Sequence, residues 1–300
     1  MAAYDIFTSY YSTAGAREDI LDLITNVSPS DTPFLSRLGT AKAGGTYHEW
    51  LTDTINSATG SGGAVLEGNS ATNYDLSDKT RTWNYCQISD RTFAISGTQD
   101  AISKVGIDSE YSYQLEKAMK ELKLFMEQIL LNSVTATGSS AHARQLRGAF
   151  EFCESNIASG LSGASALTET AYNNLCQDIF AAGGNPDTTF VGGYLKRRMS
   201  AFATNATRTL NVETKGKIGG VVSMYESDFG VQDVVLDRWI PGGDGLVLQM
   251  DKWNVAYLRK PRTNPLAVDG DRRRVQILTE YTLECLNEKS GGELVSFVSA

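Results

Sequence analysis

The 300-residue chain is 41% hydrophobic and 21% charged, with 28 glycines and 6 prolines, a globular composition that excludes collagen, wholesale disorder and a disulfide-stapled miniprotein. Its 35 acidic residues against 27 basic ones give a formal charge of -8, which supplies no global attraction for nucleic acid, and two histidines leave little scope for imidazole chemistry. About three quarters of the unfolded surface of a chain this size can be buried, enough for one or two domains.

Residues 1–19 have neither a basic stretch nor a long apolar one, which argues against a conventional export signal. No apolar run reaches the roughly 20 residues of a membrane span. The first hundred residues hold twelve acids and six bases, so most of the negative charge is local to them. A short helix is predicted over residues 19–24, closed by the Pro29 segment, and a second short apolar piece spans residues 34–38 after the turn SDTP. Together they read as an articulated arm.

TYHEWLTDTI and RTWNYCQIS have the character of strands, and the Gly-, Ser- and Asn-rich residues 55–76 lie between them. That linker is too long for a tight hairpin turn. It is either a surface loop of a monomer or a projecting two-stranded extension that orders against neighbouring copies. Trp50, Tyr74, Trp83 and Tyr85 frame it, and aromatic side chains suit the second reading because they offer large contact area at low entropic cost.

The strongest helical signal covers about 25 residues from Asp108, with Tyr111, Leu115, Ala118, Met119, Leu122, Met126, Ile129 and Leu130 on one face. Glu116, Lys117, Lys120, Glu121, Lys123 and Glu127 are expected to face away from it. A second helix of about 12 residues starts from a cap at Thr168, carries Tyr172, Leu175, Cys176, Ile179 and Phe180 on one face, and ends at Gly183. A core strand, TTFVGG, and a helix, YLKRRMSAFAT, follow. The last third turns to strands, among them RRRVQILTEYTLECLN, where Val275, Ile277, Thr279, Tyr281 and Leu283 alternate with more polar positions. The class is therefore α+β.

Chemical motifs are absent. No nucleophile elbow, dinucleotide or phosphate loop, HExxH or EF-hand pattern occurs. His48 and Glu49 are adjacent in a strand and so point to opposite faces. His142 lies in a small-residue linker, and the pairs Glu226 with Asp228 and Asp269 with Asp271 read as turn caps. Cys86, Cys153, Cys176 and Cys285 are too dispersed for a metal or redox motif and read as reduced, buried small hydrophobes. No cofactor or metal is expected. Basic clusters at Lys196 to Arg198, Arg259 to Arg262 and Arg272 to Arg274 fit salt bridges to the acidic first third of a neighbouring copy, with a solvated surface or weak phosphate contact as alternatives.

Six stretches, in this order, resemble a known family: SPSDTPFLSRLGTAKAGGTYHEWLTD (28–53), AVLEGNSA (64–71), RTFAISGTQDAISKVG (91–106), QLEKAMKELKLFMEQILL (114–131), SMYESDFGVQDVVLDRWIP (223–241) and NVAYLRKPRTNPLAVDGDRRRVQILTEYTLECLNEKSGG (254–292). The family is the major head proteins of tailed bacteriophages, particularly the Escherichia-infecting, podovirus-type branch with short N-terminal arms. The resemblance implies a Hong Kong 97-type capsid fold. It would comprise an N-terminal arm (1–49), an extended loop (50–85), a peripheral domain with a long spine helix (86–137), an axial domain (138–241) and returning strands of both domains (242–300).

The implied function is a non-enzymatic major capsid protein that self-assembles as hexamers and pentamers into an icosahedral head around packaged double-stranded DNA. DNA contact would be weak and non-specific, with scaffolding, portal and decoration proteins as further partners, no membrane, and assembly in the host cytoplasm into the virion. The early arm favours a separate scaffold, or none, over a built-in one. Assembly contacts are expected from Phe34, Leu35, Arg37, Trp50, Leu66, Glu67, Tyr74, Trp83, Arg259, Arg262, Arg272 and Arg273, with residues 259–271 as an inter-capsomer loop. An encapsulin-like shell for protein cargo and a cellular mixed α/β hydrolase are the alternative readings.

Overall fold

A computed structural model describes residues 28–54, 67–68, 70, 78–102, 109–160, 166–202, 224–267 and 270–297. The helix expected at 19–24, most of the 55–76 linker, and the candidates Leu66 and Tyr74 lie outside these residues. In chain order the described elements are α1 (Pro33–Arg37), β1 (Gly39–Lys42), β2 (Tyr47–Thr52), β3 (Thr80–Tyr85), β4 (Gln87–Ser96), α2 (Gly97–Ala101), α3 (Glu110–Asn132), α4 (Ala149–Phe152), β5 (Ile157–Ser159), α5 (Glu169–Ala181), β6 (Thr188–Val191), α6 (Gly193–Phe202), β7 (Met224–Ser227), β8 (Gly230–Leu236), β9 (Gly245–Leu248), β10 (Trp253–Pro265), β11 (Arg272–Cys285) and β12 (Gly292–Val295).

Helix α3 runs for 23 residues and is capped by the Ser109 hydroxyl, which accepts from the Ser112 N–H. Its apolar stripe lies on a four-stranded sheet of order β1-β10-β11-β4. Ala118 and Leu122 meet Ile277 of β11, with Phe93 and Leu115 at the margin. The sheet is built on the long antiparallel pair β10 and β11, which runs from Trp253 opposite Cys285 to Pro265 opposite Val275 and is irregular between Tyr257 and Arg262. Along β11 the expected alternation holds as far as Thr279; from there to Leu283 both faces are buried, Glu280 and Thr282 included.

The second sheet, of order β5-β12-β9-β6-β8-β7, mixes parallel and antiparallel pairs. Its central strands β6 and β9 are buried throughout, which is why TTFV and GLVL read as continuous rather than alternating runs. Helices α5 and α6 cover it with Tyr172, Leu175, Cys176, Ile179, Leu195 and Met199. Each such side chain contributes about 1.5–3 kcal/mol relative to an exposed position.

One large core joins the two sheets. Met126, Leu130 and Leu131 of α3 meet Phe190, Leu246 and Leu248 of the second sheet and Trp253, Val255, Tyr281 and Leu283 of the first. β2 and β3 form a separate two-stranded ribbon, so the segment between them starts and ends side by side, with Thr52 opposite Thr80.

Four expectations change. RTWNYCQIS is not one strand: the chain breaks at Cys86 and continues as the ten-residue β4. Residues 259–265 are strand rather than loop, because β11 supplies their hydrogen-bond ladder. Glu127, expected on the outer face of α3, is fully buried, since α1 packs over that flank. Met119 and Phe180, placed in apolar faces, are 43% and 60% exposed.

Candidate functional site

The segment around α1 is tied into the subunit. Pro33 begins its single turn with a missing N–H that would have no partner there, and the next two amides donate to one buried carboxylate: Phe34 N–H to Glu127 Oε1 at 2.8 Å, Leu35 N–H to Oε2 at 2.7 Å. The Phe34 ring meets Phe190 edge-on at 5.3 Å between centroids and has no exposed surface. Phe34 is thus a core residue within its own chain. Leu35 is half-buried against the same core, while Arg37 stays at the surface, 3.9 Å from Asp233.

The β2–β3 ribbon separates its aromatics by face. On the inner face Trp50 donates from Nε1 to the Cys285 carbonyl at 2.9 Å and packs beside Phe152. On the outer face Tyr47 and Trp83 stack at 5.2 Å, Tyr85 adjoins both, and Leu51 is 63% exposed. The strand alternation of YHEWLT made Trp50 and Leu51 point oppositely, as expected of a pleated strand. Glu67, in the linker, is exposed.

The basic residues of β10 and β11 are largely engaged within the chain. Arg259 Nε and Arg144 Nη2 bind the two oxygens of buried Glu280 at 2.8 and 2.9 Å, and the Arg273 guanidinium lies 3.8 Å over the Tyr111 ring. Arg262 is exposed, at the mouth of a small cavity of about 120 Å³ formed with Met119, Leu122, Met126, Pro261 and Ile277. Arg272 is also at the surface. Acidic residues of the first hundred likewise find bases in the same subunit: Glu49 with Arg81 at 3.7 Å, Asp31 with Arg238 at 3.7 Å.

The groups able to do covalent chemistry are deactivated by burial. All four cysteines are buried free thiols, and desolvation pushes Cys86 up to about 11 and Cys285 to about 12, so neither supplies a thiolate near neutral pH. His48 of the ribbon lies 4.0 Å from Glu284 of β11, and His142 is exposed in the irregular chain after α3. Among the described residues no three His, Cys, Asp or Glu side chains converge as a metal site.

Two buried polar centres gave no motif to find. Asn84 of β3 accepts the Arg147 N–H at 2.7 Å and donates to the Arg147 and Leu283 carbonyls at 3.1 and 2.8 Å. Glu127 and Asp237 face one another between α3 and the end of β8. The one signal for Glu127 is Leu131 four residues on: adjacent Leu130 and Leu131 show that the second half of α3 is covered on two flanks.

This arrangement of two sheets sharing a core beside a long helix is a fold also found in solved phage capsid chains. The subunit superposes on the Cyanophage A-1(L) capsid asymmetric unit with a TM-score of 0.67 at 14% identity, covering 97% of this chain and 99% of that one. A chain of Gordonia phage Cozz gives 0.62 at 10% identity, covering 95% and 91%. The chain belongs to the SU10 major capsid protein family, whose model matches residues 6–296. It is also 23% identical over 345 aligned positions to the major capsid protein of Escherichia phage Phieco32, covering 98% of this chain and 97% of that protein. It is a structural major capsid protein of tailed phages, not an enzyme, and the hydrolase and encapsulin-like readings give way to that one.

Proposed function

We propose that this subunit forms a Hong Kong 97-type icosahedral head of hexamers and pentamers, in which the linker between β2 and β3 overlaps a neighbouring copy. The observation that carries the proposal is the ribbon: two strands with no third among the described residues, and Tyr47, Trp83 and Leu51 exposed on one face. An isolated hairpin of this kind has little core of its own and gains stability by docking. On this reading residues 1–49 act as arm, 50–85 as extended loop, 86–137 with α3 as peripheral domain, 138–241 as axial domain, and 242–300 return through both. Leu35, Arg37, Trp50, Leu66, Glu67, Tyr74, Trp83, Arg259, Arg262, Arg272 and Arg273 supply or brace the contacts, each modest and multiplied by repetition. The head encloses double-stranded DNA with weak, non-specific contact, assembles in the host cytoplasm, and takes scaffolding, portal and decoration proteins as further partners.

Deleting residues 60–72 tests the central point. The truncated chain is expected to keep its circular dichroism and thermal midpoint while electron microscopy shows no stable shells. Shells of unchanged yield and heat resistance would refute the assembly role of the linker.

A further inference from the structure

Glu127 and Asp237 lie where three parts of the subunit meet: the α1 segment, the C-terminal half of α3 and the chain leaving β8. Both side chains are fully buried. Both oxygens of Glu127 are held by α1 amides, as described above. Asp237 Oδ1 accepts the Trp239 N–H at 2.9 Å, whereas its buried Oδ2 has no donor among the described residues, and the side chain lies against the Glu127 carboxyl.

The charges nearby are committed elsewhere. On the α1 side Asp31 pairs with Arg238 and Arg37 with Asp233. Lys123, one turn earlier on α3, faces the cavity it shares with Arg262, and Lys196 of α6 donates to the Val234 carbonyl. Among the described residues Asp237 is thus the ionisable side chain that acts on Glu127, and Glu127 the one that acts on Asp237. Two buried carboxylates side by side with no cation between them among the described residues are unfavourable, and one proton between them supplies the donor that Oδ2 lacks.

We propose that Glu127 and Asp237 share one proton, and that its loss is a conformational switch that detaches the Asp237 to Trp239 turn from the arm and the spine helix. The geometry says which side moves. Glu127 is fixed by its helix and by two amides; Asp237 is held through its side chain by one. The turn carries two further bonds that go with it, Trp239 Nε1 to the Asp31 carbonyl and Asn132 Nδ2 to the Trp239 carbonyl, both at 3.1 Å. Burial, and then the facing carboxylate, pushes Glu127 up to about 8. A carboxyl raised above its unfolded value stabilises the fold fully below the ordinary carboxylate range and loses that contribution as pH rises through its folded value. The joint is closed at neutral pH and opens in mild alkali.

The full-length chain provides the test. Infrared difference spectra between about pH 6 and 9.5 should show loss of a protonated-carboxyl band in the wild type that is missing from Asp237→Asn. Glu293, raised to about 7 by burial and Asp244, contributes a second band, so the comparison is made in a Glu293→Gln background. Hydrogen exchange of the Trp239 segment, corrected for intrinsic base catalysis, should rise by up to about tenfold per pH unit from the ordinary carboxylate range to about pH 8 in the wild type, level off above it, and stay flat throughout in Asp237→Asn, whose amide donates in place of the proton. Equal bands or equal exchange slopes in the two proteins would overturn the proposal. If Asp237→Asn does not fold, Glu127→Gln gives the same comparison, since its amide can accept an α1 N–H and donate to Asp237.

Discussion

Asn84 is a single side chain on which three segments depend. Through it β3, the Arg147 backbone and β11 are stitched together away from water. Asn84→Ala leaves several buried backbone groups unpaired and is expected to lower stability by about 3 kcal/mol in urea unfolding. Asn84→Asp should be worse at neutral pH than in acid, because its carboxylate would face two carbonyls until protonated. At Glu280 the same logic applies to charge. Glu280→Gln weakens contacts to Arg144 and Arg259 that are part-exposed at the arginine end, so about 2 kcal/mol is expected, whereas Arg262→Ala should leave monomer stability within about 0.5 kcal/mol. Such residues were not legible in the sequence, because an Asn in a strand or a Glu on a helix has the same letter whether water or protein surrounds it. Glu127 shows the point: Glu116, Lys117, Lys120, Glu121 and Lys123 on the same helix suggested solvent, and it is the packing of α1 and of the chain after β8 that buries it.

The elements themselves were more legible, where apolar spacing carried them. α3 and α5 stand within a residue or two of the helices expected from their periodicity, and α5 has the cap read from Thr168. β4 and the outer half of β10 were missed or shortened. QISDRT and RKPRTN have no sustained alternation; they are strands because β11 offers each a ladder of partners, which is information held some tens to hundreds of residues away. The join between α3 and α4 gives a further test. Gly148 donates to the Ser133 carbonyl at 2.8 Å, and a methyl at Gly148 would lie 2.8 Å from the Leu131 and Ser133 backbones. Gly148→Ala is expected to destabilise by about 1–3 kcal/mol, with a lower thermal midpoint by calorimetry and an unaltered helix content.

At the scale of the molecule, one core serves both sheets, so they should not melt apart. Calorimetry of the unassembled subunit is expected to give one transition, and Leu130→Ala should move the whole of it, by about 2–5 kcal/mol, rather than split it. The strand order of the first sheet also bears on when the subunit can exist at all. β1 and β4 come from the first hundred residues, but their partners β10 and β11 are the last long strands of the chain, and Ser96 must wait for Arg272. At about 5–20 residues per second the ribosome takes on the order of ten to forty seconds to make the intervening chain. During that interval β1 and β4 lack the strands they pair with in the fold, and the sheet beneath α3 cannot close. Nascent chains crowded on one messenger are thereby prevented from presenting finished subunits to each other, and shell growth is left to chains that have been released.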